Sequence, residues 1–293
     1  MRNTAVLYIL ASFMAVVLVA QTDEDHRKEM ENSLSTGYQV SGSAPQRMNI
    51  LDGMAFHHIP GASVALIHDG KVEWAGVYGV RQTAGQAVTT STLFDVGSIS
   101  KVVTAVGVLR LSQEGKIDLD RDVNLYLKRW KIPTNEWTSQ RPVTVRLLLN
   151  HTAGFGESLG MVYAPTSVPT LLQQLDGLAP ATNPPMRIRM LPGSRFEYSN
   201  AGYLVLELLV EDVTGKPFAE AMRTLVLDPL EMTHSTFEQP LPKKYAEDAA
   251  SAFFGSGQKV GTPPEEFIIP NLAAGGLWSN CGCSLVGMSS GVL

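Results

Sequence analysis

Hydrophobic and polar positions along the chain change period from block to block, and each block predicts an element. Residues 62–67 and 72–80 read as two strands, and the Asp69-Gly70 pair between them is a hairpin signal, since both positions accept left-handed backbone. Upstream, Gln46 to His57 carries a helical pattern that Ile59-Pro60-Gly61 closes. Downstream, Val102, Val103, Ala105, Val106, Val108, Leu109 and Leu111 make the segment after Ser98 apolar nearly all round until Gly115. A helix of that kind is expected at the centre of a domain. From Val143 to Val213 the pattern is helical with loops, punctuated by Pro184-Pro185 and Pro192-Gly193, and a helix is predicted from near Asn200 to Thr214-Gly215. Two strands followed mainly by helices imply an α+β fold with the helices segregated.

The ends of the chain differ from its body. Met1-Arg2-Asn3, an apolar run from Ala5 to Ala20 and the polar Gln21 to Asp25 form a secretory pattern, so residues 1–20 are expected to be a signal peptide. The alternative is an uncleaved membrane anchor, against which stands a run shorter than the ~20 residues of a spanning helix. Either way the expected location is secreted or periplasmic, and membrane contact is expected only if that segment stays attached. Residues 21–44 read as a polar linker, 45–279 as the main domain, and 280–293 as a tail of different character.

Composition narrows the partners. The 293 residues are 44% hydrophobic and carry a formal net charge of -5, which excludes the basic field that nucleic acids and anionic membranes attract. Cys281 and Cys283 are one residue apart, too close for an unstrained disulfide, and no His or Cys pair beside them suggests a metal site. Asp118-x-Asp120-x-Asp122 lacks the glycine and distal glutamate of a calcium loop and reads as a polar turn.

The candidate chemistry starts at Ser98-Ile-Ser-Lys101, a serine and a lysine three apart where a helix begins. That spacing puts both side chains on one face, so the lysine can take up the serine's proton, and the free N–H groups of a helix N-terminus could hold an oxyanion. Ser100 faces elsewhere and reads as structural. Ser256-Gly-Gln-Lys259 repeats the spacing in a Gly-rich stretch, so the pattern alone is not decisive. Tyr198-x-Asn200 occurs once; a tyrosine near an ammonium is a candidate base and an asparagine a candidate carbonyl ligand. The plainer reading makes Tyr198 a half-buried aromatic and Asn200 a helix N-cap. Gly156-Glu-Ser158-Leu-Gly160 fits the nucleophile elbow of α/β-hydrolases but lacks the strand and helix that motif needs around it. The histidines, His57, His58 and His234 among them, show no metal spacing and read as surface or packing residues, with His151 a candidate to shape the site from behind.

Taken in order, Phe94-Asp-Val-Gly-Ser98-Ile-Ser-Lys101, Leu147-Leu-Leu-Asn-His151-Thr-Ala-Gly154-Phe and Pro192-Gly193 leading to Tyr198-x-Asn200 resemble the class C β-lactamase and penicillin-recognising serine hydrolase family. His58-Ile-Pro-Gly61, Glu114-Gly-Lys-Ile-Asp-Leu119 and Ala274-Gly-Gly-Leu-Trp-Ser279 extend the resemblance over roughly residues 45–279. It implies a β-lactamase/transpeptidase-like fold, an antiparallel sheet with flanking helices plus an all-α region. It also implies Ser98 as nucleophile, Lys101 as its activator, Tyr198 as general base and acid, and Asn200 lining the site. The substrates implied are small acyl compounds, carboxylic esters, β-lactams or D-amino-acid peptides, and no metal or organic cofactor is implied. The family's Lys/His-x-Gly strand has no counterpart after Ser279. The sheet is therefore expected to be incomplete and the chain a truncated or frameshifted member, with an inactive, ligand-binding homologue as the alternative function.

Overall fold

The computed structural model describes residues 26–35, 41–42, 47–82, 85–156, 159–160, 162–263 and 265–281. The apolar run at 5–20, Ser158 and Cys283 lie outside the described residues. The chain divides into two compact units, one of residues 1–90 with 253–260 and the other of residues 91–252 with 261–293.

In the first unit, strand β1 (Leu34–Ser35) pairs antiparallel with β2 (Arg47–Met48). Helix α1 then runs over Ile50–Phe56. It starts later than the apolar pattern suggested, because Asn49 is extended and its side chain accepts from Leu51 N, capping the helix there and leaving Arg47 and Met48 to the strand. Strands β3 (Gly61–His68) and β4 (Lys71–Gly79) form the expected hairpin. Its two turn residues, Asp69 and Gly70, have φ of 48° and 70°, the left-handed pair that a two-residue hairpin loop requires.

The second unit is built round helix α5 (Asn200–Thr214), buried on every side from Ala201 to Val210. Short helices α3 (Val145–Leu149), α4 (Leu171–Asp176) and α6 (Phe218–Met222) pack against it. Leu148, Phe155, Leu175, Phe218 and Phe237 fill the core between them. The helix after Ser98, α2 (Ile99–Gln113), does not take the central position its apolar composition suggested. It buries Ser100, Lys101, Thr104, Gly107, Val108 and Leu111 and leaves Ile99, Val102 and Leu109 about half exposed. In its first turns the buried positions are thus polar, Ser100, Lys101 and Thr104, and further on they are Gly107, Val108 and Leu111.

Strand β5 (Phe94–Asp95), just ahead of α2, pairs antiparallel with β8 (Trp278–Ser279). Two one-turn helices come later in the chain, α7 (Lys243–Ala246) and α8 (Leu272–Gly275), and α8 precedes β8 and packs on both α2 and α5. The remaining strands, β6 (Ala252–Phe253) and β7 (Lys259–Gly261), pair with each other. Among the described residues every sheet has two strands, and no helix is long and apolar enough to cross a membrane. The Asp118–Asp122 run is the expected polar turn: Asp118 accepts from Asp120 N, and Asp122 caps a short 3-10 turn at Val123–Leu125.

Candidate active site

The turn that presents Ser98 is set by its neighbours. Asp95 Oδ1 accepts from Gly97 N at 2.9 Å, and Gly97 has φ of 51°, a left-handed conformation that costs glycine nothing. Ser98 follows as the N-cap of α2 and makes no capping bond with its own hydroxyl, which leaves Oγ for other partners. Two partners converge on it. Tyr198 Oη lies 2.7 Å away and Lys101 Nζ donates to it at 3.2 Å.

Lys101 is 4% exposed, and its ammonium has two further acceptors, Asn200 Oδ1 at 2.7 Å and Ala274 O at 2.6 Å. Three hydrogens thus meet three acceptors, the full capacity of a lysine ammonium. Its charge also sits 4.9 Å from the ring centroid of Tyr198 and 5.6 Å from that of Tyr203. With its hydrogens so engaged, Lys101 is placed to stabilise negative charge on Ser98, whereas Tyr198 Oη, in its phenolate form, is the closest neighbour able to receive the serine's proton.

The structure therefore brings Ser98, Lys101, Tyr198 and Asn200 into one cluster. The N-cap of α5 is Ser199, whose Oγ accepts from Gly202 N at 3.1 Å, so Asn200 is not the cap, and its Oδ1 accepts from the lysine. Tyr198 is 42% exposed, with its hydroxyl committed to Ser98. The first N–H groups of α2 do not fit the expectation of free oxyanion donors: Ile99, Ser100 and Lys101 donate to Val96, Gly97 and Ser98 carbonyls in a tight first turn. The N–H of Ser98 itself donates to no atom of the described residues. Ser256 sits in a turn, where its hydroxyl accepts from Gln258 N, and does not begin a helix.

Residues 272–279 close the back of the cluster. Thr104 Oγ1 donates to Ala273 O, Lys101 to Ala274 O, and Ser100 Oγ accepts from Leu277 N at 3.0 Å while donating to Gly97 O. Ser100 is thus the structural residue expected of it. Polar residues at 100, 101 and 104 in the otherwise apolar first half of the helix are the sequence's sign of such a face.

Three residues enter the site that sequence reasoning missed or left vague. His151, two residues past α3, has φ of 60° and brackets the segment that carries Tyr198: its carbonyl accepts from Glu197 N and its Nδ1 from Ser199 N. The ring lies tilted against Tyr198, with centroids 4.5 Å apart, and against Tyr203, 5.3 Å apart. Burial, and next the nearby Lys101 charge, push its pKa below the usual histidine value, so the neutral ring that can accept at Nδ1 is favoured. Tyr203 donates to Leu149 O, and burial raises its phenol to about 12, keeping it neutral. Glu207, in the middle of α5, is 3% exposed and accepts from the Ala273 and Leu272 N–H groups. Among the described residues no cluster of His, Cys, Asp or Glu could hold a metal ion.

A serine held by a lysine and a tyrosine at the start of a helix, on mixed helices and strands, defines a protein of the β-lactamase/transpeptidase-like fold. The chain belongs to the beta-lactamase family, whose sequence pattern matches residues 47–282. It is 32% identical over 199 residues to the esterase EstB of Burkholderia gladioli, a match covering 64% of this chain and 49% of that one. To protein flp of Staphylococcus aureus (strain N315) it is 29% identical over 209 residues, covering 70% of this chain and 40% of the relative. The chain thus spans less than half the length of these curated relatives. Among solved structures, the octameric penicillin-binding protein homologue from Pyrococcus abyssi superposes with a TM-score of 0.61 at 28% identity, over 82% of this chain and 54% of that one.

Proposed function

We propose that this protein forms an acyl-enzyme on Ser98 and hydrolyses it, with small carboxylic esters as substrates. β-Lactams and D-amino-acid peptides present the same reactive carbonyl and are the competing substrate classes. The observation that carries this reading is the double contact at one oxygen, Ser98 Oγ bonded to both Lys101 Nζ and Tyr198 Oη. Similarity to a protein named as an esterase supports the choice of esters.

In this reading Tyr198 acts as the phenolate: Ser98 Oγ attacks the carbonyl carbon while its proton passes to the phenolate oxygen, which thereby becomes the neutral phenol. The developing oxyanion takes the Ser98 N–H as one donor, and the Lys101 charge stabilises the alkoxide. Tyr198 hands the proton to the leaving oxygen as the C–O bond breaks. Water then attacks the acyl-serine, and the same tyrosine moves the second proton. No step calls for a metal or an organic cofactor.

The test is labelling of the full chain by a fluorescent fluorophosphonate, followed by turnover of p-nitrophenyl esters, nitrocefin and a D-Ala-D-Ala peptide. Wild type should label, Ser98→Ala should not, and short-chain esters should turn over fastest. Labelling that persists in Ser98→Ala and disappears in Ser158→Ala would move the nucleophile to the Gly-x-Ser-x-Gly segment. A folded wild type that never labels would make the protein a ligand-binding relative.

A further inference from the structure

Glu207 plays no part in the reaction above, yet it is a buried carboxyl in the most buried helix of its unit. A polar group removed from water needs partners, and this one finds them in the backbone of α8, accepting from Ala273 N at 2.9 Å and from Leu272 N. Those two N–H groups open the one-turn helix Leu272–Gly275, whose N-cap residue Asn271 makes no capping bond with its side chain. Glu207 therefore supplies, from another helix, the acceptor that a local cap normally provides.

The consequence lies on the other side of the same turn. One residue beyond Ala273, the carbonyl of Ala274 receives the Lys101 ammonium at 2.6 Å, and the Ala273 carbonyl receives Thr104 Oγ1 at 3.2 Å. So α8 is clamped from two sides, by Glu207 of α5 through its N–H groups and by α2 through its carbonyls. α5 also carries Asn200, the second acceptor of Lys101. The lysine's position is then set twice from one helix: directly by Asn200 at its first residue, and through α8 by Glu207 two turns further on.

We propose that Glu207 is a positioning residue for Lys101, holding the Leu272–Gly275 turn so that the Ala274 carbonyl stays on the lysine ammonium. Its effect on catalysis rests on the acylation reading above, whereas its effect on Lys101 does not. The closing experiment reads the two separately. In the full chain labelled with ¹⁵N-lysine, the Lys101 ammonium is assigned by its loss in Lys101→Met. A buried ammonium with three acceptors gives a slowly exchanging signal in wild type. That signal should persist in Glu207→Gln, whose amide oxygen still accepts a backbone N–H, and broaden or vanish in Glu207→Leu.

Fluorophosphonate labelling of Ser98 should slow in Glu207→Leu by about 10²-fold, the scale of a misplacement near 1 Å. Glu207→Gln should restore most of the rate. Should the leucine variant not fold, Glu207→Asp, which withdraws the carboxylate by one methylene, takes its place with the same expectation. An unchanged Lys101 signal in either folded variant, or no slowly exchanging Lys101 signal in wild type, overturns the proposal. If the signal responds as described while wild type never labels, the positioning stands and the acylation reading falls.

Discussion

The hydroxyl oxygens of Ser98 and Tyr198 lie 2.7 Å apart although 100 residues separate them in the chain. Neither oxygen is needed to hold the fold together, since Ser98 makes no capping bond and Tyr198 is 42% exposed. Tyr198→Phe removes only the proton carrier. Acylation by a short-chain ester should fall by ~10²–10⁴, the usual worth of a placed acid–base group, while stability moves by no more than about 0.5 kcal/mol. Stopped-flow release of p-nitrophenol together with thermal melting measures both, and a wild-type rate in the phenylalanine variant would remove Tyr198 from the reaction.

Lys101 presents the opposite balance. Its ammonium is buried against three neutral acceptors with no carboxylate partner among those bonds, so burial of the charge is offset only by hydrogen bonds. A neutral side chain of similar length relieves that desolvation. Lys101→Met should therefore lose labelling of Ser98 and melt at or above the wild-type temperature. A fall of more than about 4 °C, roughly 1 kcal/mol or more for a chain of this size, would mean that the three bonds outweigh the desolvation.

What could be read from the sequence was what local pattern carries. Ser98, Lys101, Tyr198 and Asn200 each stand in a short motif beside a helix start, and the Asp69-Gly70 hairpin follows from turn chemistry alone. Glu207 and His151 owe their roles to partners 66 and 48 residues away, Ala273 N and Ser199 N, which no local pattern names. The misjudged helix has a related cause. α2 and α5 are both apolar in composition, and only the packing of α3, α4 and α6 on α5 makes α5 the central one. Likewise, counting free N–H groups at the start of α2 fails because its first turn closes on the carbonyls of Val96 and Gly97.

His151 should set an acid limit on activity. Its Nδ1 serves as acceptor for Ser199 N, so its ring proton belongs on Nε2, and a second proton at Nδ1 would break that bond one residue from Tyr198. The folded pKa is lowered by burial and by Lys101. The unfolded chain therefore binds the proton more readily, and the stability this group contributes is complete above about pH 6.5. It is lost as pH falls from there through the lowered folded value. Labelling of Ser98 should decline over the same window. In His151→Phe, which keeps an aromatic ring beside Tyr198 and Tyr203 but cannot titrate, the decline should vanish; an identical acid limb in that variant would place the titrating group elsewhere.

Glu207 predicts the reverse slope at higher pH. Burial dominates its environment and, against the bonds from Ala273 and Leu272 N–H, raises the carboxyl to about 8, with Glu211 adding to the shift. An unfolded glutamate titrates near 4.3, so between about pH 4.3 and 8 the folded state holds a proton that the unfolded state has released. Stability from this group is therefore fully present below the unfolded value and falls as pH rises toward the folded one. Wild-type melting temperature should accordingly carry a downward component from about pH 5 to 8. Glu207→Gln carries no proton to lose and keeps an acceptor for α8, so that component should be absent and the variant should gain on wild type as pH rises. Parallel melting curves for the two proteins across this range would show that Glu207 is already ionised in the fold at pH 5, held as a carboxylate by the two N–H groups of α8.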